Sequence, residues 1–130
     1  MNQISKIENQ IGITDGKLAP CPKSPNCVST QVSDKKRIIK PLKYNSTLKE
    51  AKLNILDIIE SLKRTKIINE TENYIHVEFR TRTFKFVDDV EFYFDDTEKI
   101  IHFRSASRVG WSDMGVNRKR MEKIRKLYEG

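Results

Sequence analysis

Residues 84–94 read FKFVDDVEFYF, and this stretch decides the fold. Its even-numbered positions are apolar except for Asp88, whereas its odd-numbered positions are mostly charged or polar. A period of two is the pattern of a β-strand that turns one face towards a core. The stretch therefore predicts a half-buried strand, and Asp88 is unusual because it is an acid in the apolar row.

The stretch IIHFRSAS, residues 100–107, repeats the alternation after the acidic turn DDTE, residues 95–98. Ile101 and Phe103 are predicted to continue the core, so His102 and Arg104 should face the other way. The predicted register pairs Phe94 with Lys99, Phe92 with Ile101, Val90 with Phe103, Glu91 with His102 and Asp89 with Arg104, and it places Asp88 beside Ser105.

Helices are predicted before and after these strands. Thr47 followed by Glu50 matches a capping box, and apolar residues then recur at helical spacing to about Arg64. KIINE and YIHVEF, residues 66–70 and 74–79, predict a hairpin. A second helix is predicted from about Gly115 to Tyr128, with an apolar stripe and a basic, solvent-facing side. The stripe is predicted to hold Met121, Ile124, Leu127 and Tyr128, and the basic side Arg118, Lys119, Lys123 and Lys126.

These elements predict an α+β fold. A first strand is expected over Arg37 to Leu42, where Pro41 confines it to an edge or a strand end. The sheet is then antiparallel with four to five strands, packed by a helix after the first strand and by a C-terminal helix. Because 130 residues suffice for one core, residues 20–130 are predicted to form a single domain after a tail, residues 1–19.

Charge and hydropathy bound the location and the partners. The net charge is +7, with six acids and no base in residues 88–98 and eight bases against three acids in residues 104–130. No apolar stretch approaches the roughly 20 residues of a membrane span, and no signal-peptide pattern is seen, so a cytoplasmic location is expected. Trp111 and Tyr128 do not interleave with the bases, which disfavours nucleic-acid binding through the C-terminal helix; Trp111 is interpreted as a hydrophobic cover over a loop.

Three blocks of the sequence carry a family resemblance. They are CPKSPNCVST from Cys21, FKFVDDVEF from Phe84, and IHFRSASRVGWSDMGVNRKRMEKIR from Ile101. In order and spacing they resemble the signature blocks of the domain-of-unknown-function 1499 family, DUF1499, from about Ala19 to Leu127. The resemblance implies no established reaction, substrate or cofactor.

The same blocks bring together polar residues that form a candidate site. Arginine forks, serine hydroxyls and the amides at a helix N-terminus suit a small anionic ligand. The candidate ligand-binding residues are Arg104, Ser105, Ser107, Arg108, Asn117 and Arg118. The acids that would orient them are Asp88, Asp89, Glu91 and Asp113. The alternative is a structural network, with Arg120 also a member, in which these charges neutralise one another.

Catalysis and metal binding are weighed separately. A metal-assisted hydrolase could use Asp88, Asp89 and Glu91, but adjacent strand residues face opposite ways, which disfavours an enzyme. Four residues, Cys21, Cys27, His76 and His102, match the count of a zinc site, but their spacing does not, so no metal and no cofactor is predicted. Two free thiols are favoured over a disulfide for a cytoplasmic chain. A non-catalytic binding or scaffolding domain is the first hypothesis.

Overall fold

The computed structural model describes residues 10–22, 26–82, 86–108 and 115–130. Within these residues the chain forms eight strands and two helices. In chain order they are β1 (Ile13–Thr14), β2 (Lys17–Leu18), β3 (Cys27–Ser29), β4 (Leu42–Lys43), α1 (Leu48–Ser61), β5 (Thr65–Thr71), β6 (Tyr74–Arg80), β7 (Val87–Asp95), β8 (Ile100–Ser107) and α2 (Val116–Glu129).

Six of these strands form one antiparallel sheet. Its order is β3-β8-β7-β6-β5. Two short strands pair with β8 at different places: β3 pairs with residues 104–106, and β4 pairs with residues 100–101. The strands β1 and β2 make a separate hairpin. The α+β class and the placement of both helices are confirmed, and the sheet has one strand more than the largest number predicted.

Both helices pack on one face of the sheet, which we call the helix face. Thr47 caps α1 through the predicted box: its hydroxyl accepts from the Glu50 amide at 3.1 Å, and the Glu50 carboxylate accepts from the Thr47 amide. The helix then buries Ala51, Ile55 and Ile59 against the strands. The core they share with the sheet includes Ile75, Val77, Val90, Phe92, Phe94, Ile101, Phe103, Met121 and Ile124. Burial of each large apolar side chain contributes about 1.5–3 kcal/mol.

Two predictions about the strands are wrong: one strand is absent where it was expected, and one residue expected to be buried is exposed. The segment from Arg37 to Leu42 is not a strand, because Asp34 closes a turn that ends at Ile38, and only Leu42 enters β4. Ile38 makes a single parallel bridge to Ser29 instead. Phe86, placed in the apolar row by the sequence, precedes β7 and is 44% exposed. The pleat that would have buried it begins only at Val87.

The predicted register between β7 and β8 is wrong by two residues. The structure pairs Asp95 with Ile100, so that Phe94 faces Ile101. The turn has the predicted length of four residues but spans residues 96–99 instead of 95–98, because the Asp95 carboxylate accepts from the amides of Thr97 and Glu98, and Lys99 has a positive φ of 57°. A shift of two preserves which face each side chain occupies but changes its partners. Glu91 therefore faces Arg104, Asp89 faces Ala106, and Asp88 faces Ser107.

The helix α2 buries a different stripe from the predicted one. Met121 and Ile124 are in the core as expected, and Tyr128 packs partly against it. Leu127 is 47% exposed, and the amide side chain of Asn117 is buried in its stead. Arg118 does not simply face water, because it donates to the carbonyls of Lys36 and Ile38. The buried side of α2 therefore begins at Asn117, one turn earlier than the hydrophobic spacing predicted.

Candidate functional site

The side of the sheet opposite the helices, which we call the outer face, buries charged residues. Glu91 is 0% exposed and Arg104 is 1% exposed, and they lie opposite each other on β7 and β8. Arg104 Nη1 donates to Glu91 Oε1 at 3.3 Å. The hydroxyl of Tyr74 donates to Glu91 Oε2 at 2.5 Å. Burial, and next the hydrogen bond to Glu91, raise the pKa of Tyr74, so this phenol stays a donor.

A second cluster on the outer face centres on Asp89. Arg108 donates through Nε and Nη2 to the two Asp89 oxygens at 2.8 and 2.7 Å, a bidentate pair. The ring of His76 is bonded to Asp89 Oδ1 at 2.8 Å, and Glu78 also accepts from Arg108 at 2.8 Å. The hydrogen bonds to Asp89 raise the pKa of Arg108 against the opposing effect of burial. Arg108 is therefore committed to two acids.

Residues 10–22, which we call the N-terminal cover, close the middle of the outer face. The Gly12 amide donates to Glu91 Oε2 at 2.8 Å. Arg104 donates through Nη1 to the Gln10 carbonyl and through Nη2 to the Pro20 carbonyl, at 3.4 and 3.3 Å. Only its Nε, among the buried side-chain polar atoms of the described residues, has no partner. The cover thus supplies most of the polar groups that a buried ion pair needs.

A disulfide joins the N-terminal cover to the sheet. Cys21, in the cover, is bonded to Cys27, the first residue of β3. The expectation of two free thiols is wrong, because β3 pairs with β8 and brings Cys27 within bonding geometry of Cys21, with 5.7 Å between their Cα atoms. Neither cysteine is a free thiolate ligand, and the described residues hold no group of three or more potential metal ligands.

The helix face carries a third polar cluster. Arg120 of α2 donates through Nη2 to Asp88 Oδ2 at 2.6 Å and through Nη1 to Asn117 Oδ1 at 2.9 Å. Ser105 donates to the same Asn117 oxygen at 2.6 Å, and Asn117 Nδ2 donates to Ser107 Oγ at 2.9 Å. The acid in the apolar row therefore fixes α2 to β7 and β8. This contact explains why the sequence tolerates a carboxylate there.

The structure thus divides the predicted site between the two faces of the sheet. Asp88, Ser105, Ser107 and Asn117 meet on the helix face, whereas Asp89, Glu91, Arg104 and Arg108 lie on the outer face. Arg118 contacts neither cluster, and Asp113 lies outside the described residues, as does Trp111. The three strand acids do not converge on one point, because the alternation of β7 holds and each acid has its own arginine.

A pocket of about 640 Å³ lies elsewhere, where the end of α1, the end of β6 and the start of α2 meet. We call it the cationic pocket. Each of the three segments contributes two cations, and no acid is found among its lining residues in the described part of the chain. The cations are Lys63 and Arg64, Arg80 and Arg82, and Arg120 and Lys123. Arg80 and Arg120 are paired with Glu78 and Asp88, while the other four have no acidic partner within the described residues.

The first turn of α2 strengthens the positive potential of the cationic pocket. Val116, the first residue of α2, lines it, and the preceding Gly115 has no side chain to cap the helix. The first turn also holds no acid. The positive end of the helix dipole therefore adds to the lysine and arginine charges. A cleft lined by one sign of charge concentrates the field and attracts counter-ions.

Sequence reasoning did not find the cationic pocket. Its cations come from residues 63–64, 80–82 and 120–123, and of these only Arg120 is among the polar residues predicted to form a site or a network. The basic side chains of the C-terminal helix gave a partial signal, but three of its arginines turn inwards. Arg118 and Arg125 bind backbone carbonyls, and Arg120 binds Asp88. The three segments are distant in the sequence, and only the fold brings them together.

His102, on the outer face, is expected to make stability depend on pH. Burial lowers the pKa of its imidazole. The unfolded state therefore binds a proton at a higher pH than the folded state does. The contribution of His102 to the free energy of unfolding is fully present above about pH 6.5 and is lost as the pH falls below that value. We expect His102→Gln to flatten the change in unfolding free energy between pH 7.5 and pH 5.5, measured by urea denaturation. An unchanged slope would show that other groups carry it.

The fold and these clusters define a small α+β domain with a covered polar sheet face and an open cationic pocket. The family model described as "Protein of unknown function (DUF1499)" matches residues 17–127. The chain belongs to this family. No curated protein matches it, and within the described residues no helix is long and apolar enough to cross a membrane.

Proposed function

We propose that this protein is an anion-binding module and that the anion occupies the cationic pocket. One observation carries the proposal: six cations from three segments line one cavity, and none of the described residues that line it is an acid. Four of them, Lys63, Arg64, Arg82 and Lys123, have no acidic partner within the described residues. Unpaired cations that face one another repel, and a bound anion would relieve that repulsion.

The pocket supports anion binding better than the arginines predicted from the sequence. Arg104 is buried and already bound to Glu91 and two carbonyls, and Arg108 is bound to Asp89 and Glu78. An anion at either place would compete with carboxylates that the fold holds in position. Lys63, Arg64, Arg82 and Lys123 are exposed and carry no such cost.

The test is binding of inorganic phosphate to the wild type and to a charge-reversed variant, by calorimetry at fixed ionic strength. Lys63→Glu/Lys123→Glu places an acid on two sides of the pocket, and we expect at least tenfold weaker binding, about 1.4 kcal/mol. The matched control is Lys49→Glu/Lys126→Glu, which makes the same change of net charge at two exposed lysines outside the pocket, one in α1 and one in α2.

The control variant should bind phosphate within about twofold of the wild type if the pocket is the site, because long-range charge effects are screened at moderate salt. Equal losses in both double variants would mean that phosphate responds only to the net charge of the protein. Absence of phosphate binding in the wild type would remove the proposal.

The location of the protein is also a matter for experiment. The cytoplasmic location expected from the sequence stays a prediction. The Cys21–Cys27 disulfide favours an oxidising compartment instead, because disulfides persist there and are rare in a reducing cytoplasm. Thiol titration of the protein isolated from its native cells under alkylating conditions distinguishes the two locations.

A further inference from the structure

The cationic pocket holds more positive charge than one anionic group can neutralise. Within the described residues, four of its cations have no acidic partner: Lys63, Arg64, Arg82 and Lys123. A phosphate group carries about 1.5 to 2 negative charges at pH 7, so a single phosphate leaves roughly two of these four charges uncompensated. The remaining cations would still repel one another.

Arg80 adds to this excess of positive charge. Its Nη2 lies 3.6 Å from Glu78 Oε1, and its side chain is 50% exposed. The other oxygen of Glu78 accepts from Arg108 at 2.8 Å, so one carboxylate serves two arginines. An exposed ion pair contributes little to stability. Arg80 can therefore turn from Glu78 towards an anion in the pocket at a small cost.

The cations of the pocket lie on two walls. The first wall joins the end of α1 to the end of β6, where the Arg80 amide donates to the Arg64 carbonyl at 2.9 Å, and it carries the cations of residues 63–64 and 80–82. The second wall is α2, which contributes the exposed Lys123. The volume of about 640 Å³ lies within the range of pockets that hold small organic ligands, so it has room for more than one phosphate group.

We infer that the ligand of the cationic pocket carries two linked phosphate groups, that is, a diphosphate. This inference rests on the proposed function. One phosphate group takes the charge of the first wall, and the other takes the charge of Lys123 on the second wall. Two linked groups lose translational freedom only once on binding, whereas two separate phosphates lose it twice and repel each other.

Inorganic phosphate and inorganic diphosphate test this inference, because they share the charged group and differ in its number. We expect the wild type to bind diphosphate at least tenfold more tightly than phosphate, in calorimetric titrations at fixed ionic strength without divalent cations. Lys123→Gln removes the exposed cation of the second wall. It should reduce this ratio below about threefold and leave the affinity for phosphate within about twofold of the wild type, because the first wall is intact.

The matched control is Lys126→Gln, which removes the charge of another exposed lysine of α2, one that does not line the pocket. It should leave the ratio unchanged. Equal affinities of the wild type for the two ions would overturn the diphosphate preference and leave anion binding intact. An unchanged ratio in Lys123→Gln, or an equal fall in both variants, would overturn the placement across two walls. Binding of neither ion would overturn the proposed function itself, so the failures are distinguishable.

Discussion

Replacement of Arg104 by methionine is expected to lower the free energy of unfolding by about 3–5 kcal/mol, because it leaves a buried carboxylate without its cation. Glu91 is 0% exposed, and Arg104 is the cation bonded to it. Methionine restores part of the lost volume, so the loss is mainly electrostatic. Equilibrium urea denaturation, followed by circular dichroism, measures it.

Arg118→Met is the matched control for this experiment. Arg118 is partly exposed, and within the described residues its side chain donates only to the carbonyls of Lys36 and Ile38, so we expect a loss of no more than about 1 kcal/mol. The double variant Glu91→Leu/Arg104→Met should be less destabilised than the sum of its two single changes, because it buries no uncompensated charge. Equal, small losses in Arg104→Met and Arg118→Met would contradict the structural role of the ion pair.

The sequence predicted correctly which face of the sheet each side chain of β7 and β8 occupies, but it predicted the wrong residue pairs between these two strands. Alternation depends only on the pleat, so Asp88 was separated from Asp89 whatever the register. The pairing of Glu91 with Arg104 depends on the turn after β7, where the Asp95 carboxylate binds two amides and Lys99 takes a positive φ. Residues other than glycine rarely adopt a positive φ, so a lysine at position 99 does not predict that conformation.

The N-terminal cover could not be predicted for a different reason. Residues 10–22 have no hydrophobic period, and they are held by backbone groups such as the Gly12 amide and the Pro20 carbonyl. Every residue type except proline offers both groups, so the sequence does not mark where they bind. The same holds for the cationic pocket, whose lysines and arginines look like ordinary solvent-facing residues until three distant segments are folded together.

Loss of the Cys21–Cys27 disulfide is expected to lower the free energy of unfolding by about 2–3 kcal/mol, the amount that chain entropy gives for so short a loop. Cys21→Ala/Cys27→Ala and reduction of the wild type by dithiothreitol should agree in urea denaturation. The same reductant should leave the alanine variant unchanged, which is the control for effects of the reductant itself. A wild type whose stability does not respond to reduction would contradict the disulfide.

The disulfide and the buried ion pair should also be coupled. Pro20, the neighbour of Cys21, supplies one of the carbonyls that bind Arg104, so freeing the cover removes a partner of the guanidinium. Arg104→Met no longer needs that carbonyl, and its combination with the double alanine variant should therefore cost less than the sum of the two. Hydrogen exchange at the Gly12 amide, which donates to Glu91, should accelerate on reduction of the wild type. Strict additivity and an unchanged exchange rate would mean that the cover stays in place without its covalent tie, and that Glu91, Arg104 and the backbone of the cover suffice to hold it.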